Sequence, residues 1–343
     1  MRTTTDLPLS VDDITPSWLT RALRAGGDPD VTVRELAVTG VVWGTATKVL
    51  LRADYAAGGT RHPERLCVKG GFVPELRAIM APGYRTEARF YREIAPQLDQ
   101  GLPRCWFAGE DGEQGVVILD DLAARGARFR DAREPLTVDQ AAAALEVLAS
   151  WHRRRDIAVP WRTAAPHLRA MVGGLLTPAH WDTYIGQTTG GPVLDVLDDR
   201  ERVGRAFGAL WASEDAGPQS LTHGDANLTN VYLDAAGSPR FLDWQFAGLG
   251  DAYHDVALFL IGALSVEDRR AHEQPLLRAY LAARADTAET FDEAWTAYRR
   301  HPLHGAVYAL TPEEMQPSAI RAALADRFAQ AALDLDTYRL LGA

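Results

Sequence analysis

Residues 221–230 read LTHGDANLTN, and they are followed by the apolar stretch VYLD, the segment AAGSP and then RFLDW. The two apolar stretches have strand length and the segment between them has turn composition, which predicts a hairpin. Asp225, Asn230 and Asp243 then carry polar groups at the ends of this hairpin, where short loops can hold them rigidly. The sequence therefore predicts that three oxygen-bearing side chains converge.

Such a set of side chains suits phosphoryl transfer. That reaction needs a carboxylate that orients the attacking hydroxyl and accepts its proton, together with hard oxygen ligands for Mg²⁺ on the nucleotide phosphates. We assign Asp225 as the catalytic base, Asn230 and Asp243 as Mg²⁺ ligands, and His223 as a residue that braces the loop. A His-Gly-Asp tripeptide is commonly only a turn, so the assignment depends on Asn230 and Asp243 following it.

The sequence before this region is β-rich. A short amphipathic helix is predicted at ITPSWLTRALRAG (14–26), and a second helix at TEARFYREIAPQL (86–98). Five segments of strand length flank the second helix, namely 31–40, 45–55, 65–71, 105–110 and 115–121. From about Leu136 long alanine-rich amphipathic segments take over. This order predicts an α+β protein with a β-rich lobe over residues 1–122 and a larger helical lobe over 123–343.

The basic residues are distributed unusually. Of 36 lysines and arginines, only Lys48 and Lys69 are lysines. Codon bias in a G+C-rich genome explains this scarcity of lysine, and it makes the positions of the two remaining lysines informative. Lys48 follows the segment GVVWGTAT and is expected to be a solvent-facing strand residue.

The overall composition excludes several classes of protein. With 47% hydrophobic and 24% charged residues among 343, the chain has the composition of an ordinary globular protein. The net charge of −10 argues against a nucleic-acid partner, which would require a basic face. Two cysteines, a start without a signal-peptide pattern and a longest apolar run of only residues 256–264 predict a cytoplasmic protein without a membrane partner.

The HGDANLTN loop and the LDWQ segment (242–245) resemble the aminoglycoside phosphotransferase and choline kinase group, whose members carry HGDxxxxN followed by a D-W or D-F metal site. The segments TEARFYREIAP, ILDDL and LDWQ are most similar to its ecdysteroid-kinase-like branch. The resemblance covers nearly the whole chain. It implies a two-lobed, protein-kinase-like fold, with a five-stranded antiparallel sheet and one helix in the first lobe.

The resemblance also implies a nucleotide site in the first lobe, binding ATP or GTP with Mg²⁺. Lys69 resembles the lysine that contacts the α- and β-phosphates, and Glu87 resembles its helix partner. Gly44 and Thr45 lie in GVVWGTA (40–46), which we interpret as a loop that covers the nucleotide, although its glycine spacing matches neither a P-loop nor GxGxxG. The adenine would bind main-chain groups near ILDDL, where the two aspartates are equally good turn caps.

Two other polar residues are expected to be structural. Asp255 precedes an apolar helix and suits a helix cap, and it resembles a family aspartate that braces the catalytic loop. His152 lies on an apolar helix face, so we expect a buried, hydrogen-bonded histidine.

The phosphate acceptor is expected to be a hydroxylated small molecule, and the branch resemblance favours a secondary metabolite, an antibiotic or a sterol-like alcohol. Neither its identity nor the oligomeric state follows from the sequence. Candidate acceptor contacts lie in the stretch 157–220 and near the C-terminus, and they comprise Trp161, Trp181, Tyr184, Trp295, Tyr298, His301 and His304.

Three other functions fit these residues less well than a small-molecule kinase does. A pseudokinase that only senses a ligand predicts damage to Lys69, Asp225, Asn230 or Asp243, and none is damaged. A metallohydrolase using His223, Asp225 and His254 would leave Asn230, Asp243 and Lys69 unexplained. A protein kinase is disfavoured because HGD replaces H-R-D and neither D-F-G nor A-P-E is present.

Overall fold

The computed structural model describes residues 6–98, 101–161, 165–188, 191–285, 288–313 and 315–343. The chain forms two compact units. The first runs to Arg128 and also contains Leu242–Gln245, and the second comprises Phe129–Phe241 and Phe246–Ala343. Their elements confirm the predicted α+β class. Within the described ranges, no helix is both long and apolar enough to cross a membrane.

The first unit is built on a five-stranded antiparallel sheet. Its strands are β1 (Thr32–Val42), β2 (Thr47–Ala57), β3 (Arg65–Gly70), β4 (Cys105–Glu110) and β5 (Gly115–Asp120). Their order across the sheet is β1, β2, β3, β5, β4. Each strand falls on a segment that the sequence predicted, because apolar residues at strand length were bounded there by turn residues.

Helix α1 (Pro16–Ala25) covers one face of this sheet. It begins where the sequence predicted, since Thr15 accepts a hydrogen bond from the main-chain N–H of Trp18 and proline occupies the first helical position. The core beneath it contains the buried side chains of Trp18, Leu19, Leu23, Val49, Leu51, Val68 and Ile118.

Helix α2 (Pro74–Arg89) begins twelve residues earlier than the segment predicted at 86–98, and it continues as a π-helical turn, Phe90–Ile94. The sequence obscured its start because Pro82 lies inside the helix. A proline there lacks the N–H that would bond to the carbonyl four residues earlier. The helix tolerates this loss, and its last turn carries Glu87, which is 3% exposed.

The second unit is mainly helical, as predicted. Its helices are α3 (Val138–His152), α4 (Ala165–Leu175), α5 (Pro178–Ile185), α6 (Pro192–Val196), α7 (Arg200–Ala216), α8 (Ala252–Ala263), α9 (Val266–Arg284), α10 (Phe291–Arg299), α11 (Leu303–Ala306), α12 (Ser318–Asp334) and α13 (Thr337–Leu341). Every residue of α8, which contains most of the longest apolar run, is buried.

The described residues also form five short strands. They are β6 (Arg128–Phe129), β7 (Ser220–Thr222), β8 (Val231–Leu233), β9 (Pro239–Phe241) and β10 (Gly248–Gly250). Strands β8 and β9 pair in antiparallel fashion and form the hairpin that the sequence predicted. Strand β7 pairs with β10, so the segment between β7 and β8 is held at both ends.

The contact between β5 and α2 gives a stability prediction. A Cβ atom at Gly115 would lie 2.1 Å from the carbonyl oxygen of Tyr84, a main-chain atom of α2 that cannot move aside easily. We expect Gly115→Ala to lower the free energy of unfolding by about 2 kcal/mol, a typical cost of overpacking. Urea unfolding monitored by circular dichroism measures it.

The matched control is Gly204→Ala on α7, where nothing lies within 4 Å of an added Cβ. Alanine there should be neutral or stabilise the helix by about 0.5–1 kcal/mol. Equal free energies of unfolding for the two variants would contradict the close approach at Gly115.

Candidate active site

The HGD turn lies directly after β7, and its conformation depends on Gly224. Gly224 has φ of +79°, in the left-handed region that favours glycine. An added Cβ would also lie 2.3 Å from the carbonyl oxygen of Phe246. Both the backbone angle and this close approach therefore require glycine at position 224.

The carboxylate of Asp255 holds this turn. Its Oδ2 accepts the main-chain N–H of His223 at 2.6 Å, and its Oδ1 accepts that of Gly224 at 2.9 Å. His152 Nε2 lies 3.1 Å from Oδ2, and both side chains are fully buried. Burial alone would raise the pKa of Asp255, but the hydrogen bond and nearby charge of His152 outweigh it and lower the pKa.

These contacts test two structural expectations. The bracing role of Asp255 is confirmed, and so is the buried, hydrogen-bonded state of His152. The cap role of Asp255 is wrong, because α8 begins earlier. Asp251 is its N-cap and accepts the main-chain N–H of Tyr253 at 2.9 Å.

Asp225 presents a carboxylate whose two oxygens are held by neighbouring amides. Asn230 Nδ2 donates to Oδ2 at 2.9 Å and also to the Asp225 carbonyl oxygen. Asn227 Nδ2 donates to Oδ1 at 2.7 Å, and the hydroxyl of Tyr308 lies 3.4 Å from the same oxygen. His223 Nδ1 accepts the main-chain N–H of Asp225 at 3.2 Å. The carboxylate therefore has a fixed orientation.

In the first unit, the ammonium group of Lys69 is shared by two carboxylates. Its Nζ lies 2.7 Å from Glu87 and 2.8 Å from Asp243, and the three side chains are 5%, 4% and 10% exposed. Burial would lower the pKa of Lys69, but Asp243 and Glu87 together raise it above its ordinary value. Lys69 therefore stays charged.

The backbone of Asp243 is unusual, since its φ of +71° is rare for a residue other than glycine. The main-chain N–H of Trp244 donates to Glu87 Oε1 at 3.3 Å, and the indole stacks on Phe90 with ring centroids 3.9 Å apart. These contacts with α2 hold the segment that carries the strained aspartate. Strain of this kind is concentrated at functional sites.

Gly44 and Thr45 lie in the loop between β1 and β2. The carbonyl oxygen of Thr45 accepts a hydrogen bond from the hydroxyl of Tyr84. A Cβ at Gly44 would meet its nearest atom at 3.7 Å, an ordinary contact. The protein's own packing therefore does not require glycine at position 44.

The structure thus brings Asn230 to Asp225 within the second unit, and Glu87 and Asp243 to Lys69 within the first. Sequence reasoning missed Asn227 and Tyr308. The side-chain oxygen of Asn227 accepts the main-chain N–H of Thr229, a turn signature that was available from the sequence. Tyr308 is 83 residues from Asp225 and had no local signal.

The arrangement does not favour the metallohydrolase. His223 receives the main-chain N–H of Asp225, and His254 Nε2 lies 3.2 Å from the carbonyl oxygen of Gly224, to which it can only donate. The remaining nitrogen of His254, Nδ1, faces Glu214 at 3.9 Å, so this ring does not join His223 and Asp225 around a metal.

Residues 76–301 match the family described as "APH: Phosphotransferase enzyme family". No curated protein sequence matches this chain.

Solved structures share the fold at low sequence identity. Choline kinase LicA from Streptococcus pneumoniae is similar with a TM-score of 0.52 and 13% identity over 94% of this chain and 98% of that chain. The structure of LicA in complex with AMP gives a TM-score of 0.54, with the same identity and the same coverage. Spectinomycin phosphotransferase, in complex with ADP and spectinomycin, gives 0.50 and 10% identity over 94% and 99%. The predicted kinase-like fold is confirmed.

The hydrogen bonds from the HGD turn to Asp255 predict a large loss of stability in the isosteric variant Asp255→Asn. In Asp255→Asn the side chain keeps a single acceptor oxygen, so its NH₂ group must face one of the two main-chain N–H donors. We expect the free energy of unfolding to fall by more than about 2 kcal/mol. Urea unfolding provides the measurement.

Asp199→Asn is the matched control. Asp199 also accepts two main-chain N–H groups, but it does so as the exposed N-cap of α7, with the side-chain oxygen Oδ1 alone. Asparagine caps helices about as well as aspartate, so the expected change is below about 0.5 kcal/mol. A similarly small loss in Asp255→Asn would contradict the bracing role.

Proposed function

The chain belongs to the phosphotransferase enzyme family, and we propose that it transfers the γ-phosphoryl group of ATP, or of GTP, to a hydroxyl group of a small molecule. Asp225 is the proposed catalytic base. Lys69 and Glu87, with Gly44 and Thr45, are the proposed nucleotide-binding residues.

The observation that carries this proposal is the buried group of Lys69, Glu87 and Asp243. Two carboxylates hold one ammonium group in a place that water hardly reaches, and this fixes the position of the cation. Burial raises the pKa of Glu87 despite the adjacent lysine. A buried cation with a fixed position is suited to stabilise the charge of a nucleotide phosphate.

The donor set suits Mg²⁺. Asn230 uses its amide nitrogen on Asp225, which leaves its side-chain oxygen as the ligand atom, and Asp243 supplies a carboxylate. Hard oxygen ligands of this kind are the ones that Mg²⁺ prefers. When bound, the ion would neutralise charge on the phosphates.

The role of Asp225 follows from its fixed carboxylate. Asn227 and Asn230 aim the two oxygens, so an acceptor hydroxyl that hydrogen-bonds to Asp225 is oriented before it reacts, and it can pass its proton to the carboxylate. At 3.4 Å the contact from Tyr308 is long for an O–H···O bond. An acceptor hydroxyl therefore competes most easily with Tyr308 for Oδ1.

The acceptor is proposed to be a hydroxylated secondary metabolite, an antibiotic or a sterol-like alcohol, in keeping with the ecdysteroid-kinase-like resemblance. Choline and spectinomycin, after which two of the structurally similar phosphotransferases are named, are reasonable probes of smaller and more polar acceptors. A cytoplasmic location remains part of the same proposal.

The first test measures acceptor-stimulated phosphoryl transfer from labelled ATP or GTP with Mg²⁺, over a panel of such alcohols. Asp225→Asn should lower turnover by about 10²- to 10⁴-fold, the usual contribution of a general base. The nucleotide Kd should change little, because the role of Asp225 lies in the reaction.

Asp234→Asn is the matched control for this change, since Asp234 lies in the turn of the β8–β9 hairpin and accepts main-chain N–H groups there. Its turnover should stay within about 2-fold of the wild type. Undiminished phosphoryl transfer in Asp225→Asn would contradict the assignment of Asp225 as the catalytic base.

The two lysines provide a second test. Lys69→Met should raise the Kd of the Mg–nucleotide complex at least about 10-fold, since loss of one buried charged contact costs about 2 kcal/mol or more. Lys48, paired with Lys69 on the neighbouring strand and only half-buried, is the control, and Lys48→Met should change the Kd less than about 2-fold. Fluorescent-nucleotide titration measures both, and equal affinities would contradict the phosphate role of Lys69.

A further inference from the structure

A second cluster of titratable side chains lies in the second unit, outside the residues assigned above. It consists of Glu214 at the end of α7, His254 in α8, His301 two residues before α11 and His304 within α11. We call it the histidine cluster. Three of its members, Glu214, His254 and His301, offer ligand atoms that all lie within 4.8 Å of one another.

The ring nitrogens converge on a single carboxylate oxygen. Measured from Glu214 Oε1, His304 Nε2 lies at 3.2 Å, His301 Nε2 at 3.4 Å and His254 Nδ1 at 3.9 Å. The side chains are nearly buried, with exposed fractions of 13% for Glu214, 11% for His254, 1% for His301 and 5% for His304. Three imidazoles facing one oxygen is an arrangement that packing alone does not require.

In His301 and His254, the ring nitrogen that points away from Glu214 (the outer nitrogen) shows where the proton of the neutral ring lies. His301 Nδ1 lies 2.9 Å from the carbonyl oxygen of Ala297, and His254 Nε2 lies 3.2 Å from that of Gly224. A carbonyl only accepts, so these nitrogens carry the protons. In the neutral rings, His301 Nε2 and His254 Nδ1 then direct lone pairs toward a negatively charged oxygen.

Lone pairs that face a carboxylate repel it unless a positive charge lies between them. His301 Nε2 is fully buried and makes no hydrogen bond of acceptable geometry, although Asp251 Oδ2 also lies 3.6 Å away. A metal ion, or a proton on one ring, resolves this repulsion. Histidines that hold a metal commonly donate their other N–H to a main-chain carbonyl, as both of these rings do.

The spacing favours the metal. In a tetrahedral zinc site with bonds of about 2.0–2.1 Å, adjacent ligand atoms are about 3.3 Å apart. From Glu214 Oε1, His301 Nε2 at 3.4 Å is close to this value, and His254 Nδ1 at 3.9 Å requires a shift of only about half an ångström. We propose that Glu214, His254 and His301 bind one divalent transition-metal ion of the zinc type, while His304 Nε2 stays within hydrogen-bonding distance of Glu214.

Ligand chemistry distinguishes this ion from the magnesium proposed above. Imidazole suits zinc and its neighbours in the transition series, whereas Mg²⁺ binds oxygen. Three protein ligands occupy three positions of a tetrahedral shell and leave the fourth to another ligand, such as water. The proposal therefore stands whether or not the chain transfers phosphate.

The site would act on the HGD turn through His254. The carbonyl of Gly224 receives the outer N–H of His254, while the N–H of Gly224 is held by Asp255. Both polar main-chain groups of this glycine are thus fixed from α8. A metal ion on His254 fixes the ring, and with it the peptide that precedes Asp225.

The test uses the full chain without a polyhistidine tag, stripped of metal with a chelator and titrated with Co²⁺ and Zn²⁺. We expect one ion per chain, the intense visible absorption of tetrahedral Co²⁺, its loss on addition of Zn²⁺, and a higher unfolding temperature with Zn²⁺. The isosteric variant Glu214→Gln and the variant His301→Ala should each weaken Co²⁺ binding by more than about 100-fold, since even outer-shell changes cost about 10- to 100-fold.

His272→Ala on α9 is the matched control, because His272 lies outside the histidine cluster, and its Co²⁺ spectrum should equal that of the wild type. Circular dichroism identifies any variant that fails to fold, and Glu214→Gln, which preserves side-chain shape, then decides. The proposal would be overturned if the wild-type chain gave no tetrahedral Co²⁺ spectrum and no stabilisation by Zn²⁺. A proton shared within the histidine cluster would then replace the metal ion as the compensating positive charge. An unchanged spectrum in folded Glu214→Gln would overturn the proposal as well.

Discussion

The turn before Asp225 depends on one buried carboxylate, that of Asp255. A charge with no exposed surface is expensive, and it is retained here because two main-chain N–H groups and His152 Nε2 are directed at it. The same contacts give the main chain at His223 and Gly224 partners that strand β7, which ends at Thr222, does not provide. The apolar helix α8 therefore does more than fill the core, because it carries the acceptor that gives the turn its shape.

The carboxylate of Asp225 and the ammonium group of Lys69 are held by different kinds of partner. Asp225 receives hydrogen bonds from the amides of Asn227 and Asn230, with the phenol of Tyr308 at longer range, and these contacts fix its orientation. Around Lys69 the partners are charged, and the cation is fixed between them. A fixed orientation suits the proposed base, and a fixed charge suits the proposed phosphate contact.

The sequence predicted those features of the fold and the site that depend on residues close together in the chain. The five strands of the sheet, helix α1 and the hairpin of β8 and β9 follow from local apolar patterns and turn residues, and Asp225 with Asn230 follows from a five-residue spacing. The prediction was wrong where distant packing decides. Helix α2 runs through Pro82 because its contacts with the sheet outweigh the lost hydrogen bond, and Asp255 is not a cap because its partners lie over 30 residues away.

Two histidines also show that contacts between residues distant in the sequence could not be predicted from it. His301 and His304 were candidates for acceptor contacts because the family resemblance places the acceptor against helices of the second lobe, and the structure directs both rings at Glu214. His301 has one ring nitrogen on a main-chain carbonyl and the other directed at the nearly buried carboxylate of Glu214, so neither nitrogen faces a substrate. Tyr308, which no local pattern indicated, reaches Asp225 directly. Selectivity for the acceptor hydroxyl is therefore better sought around Tyr308 than among the histidines.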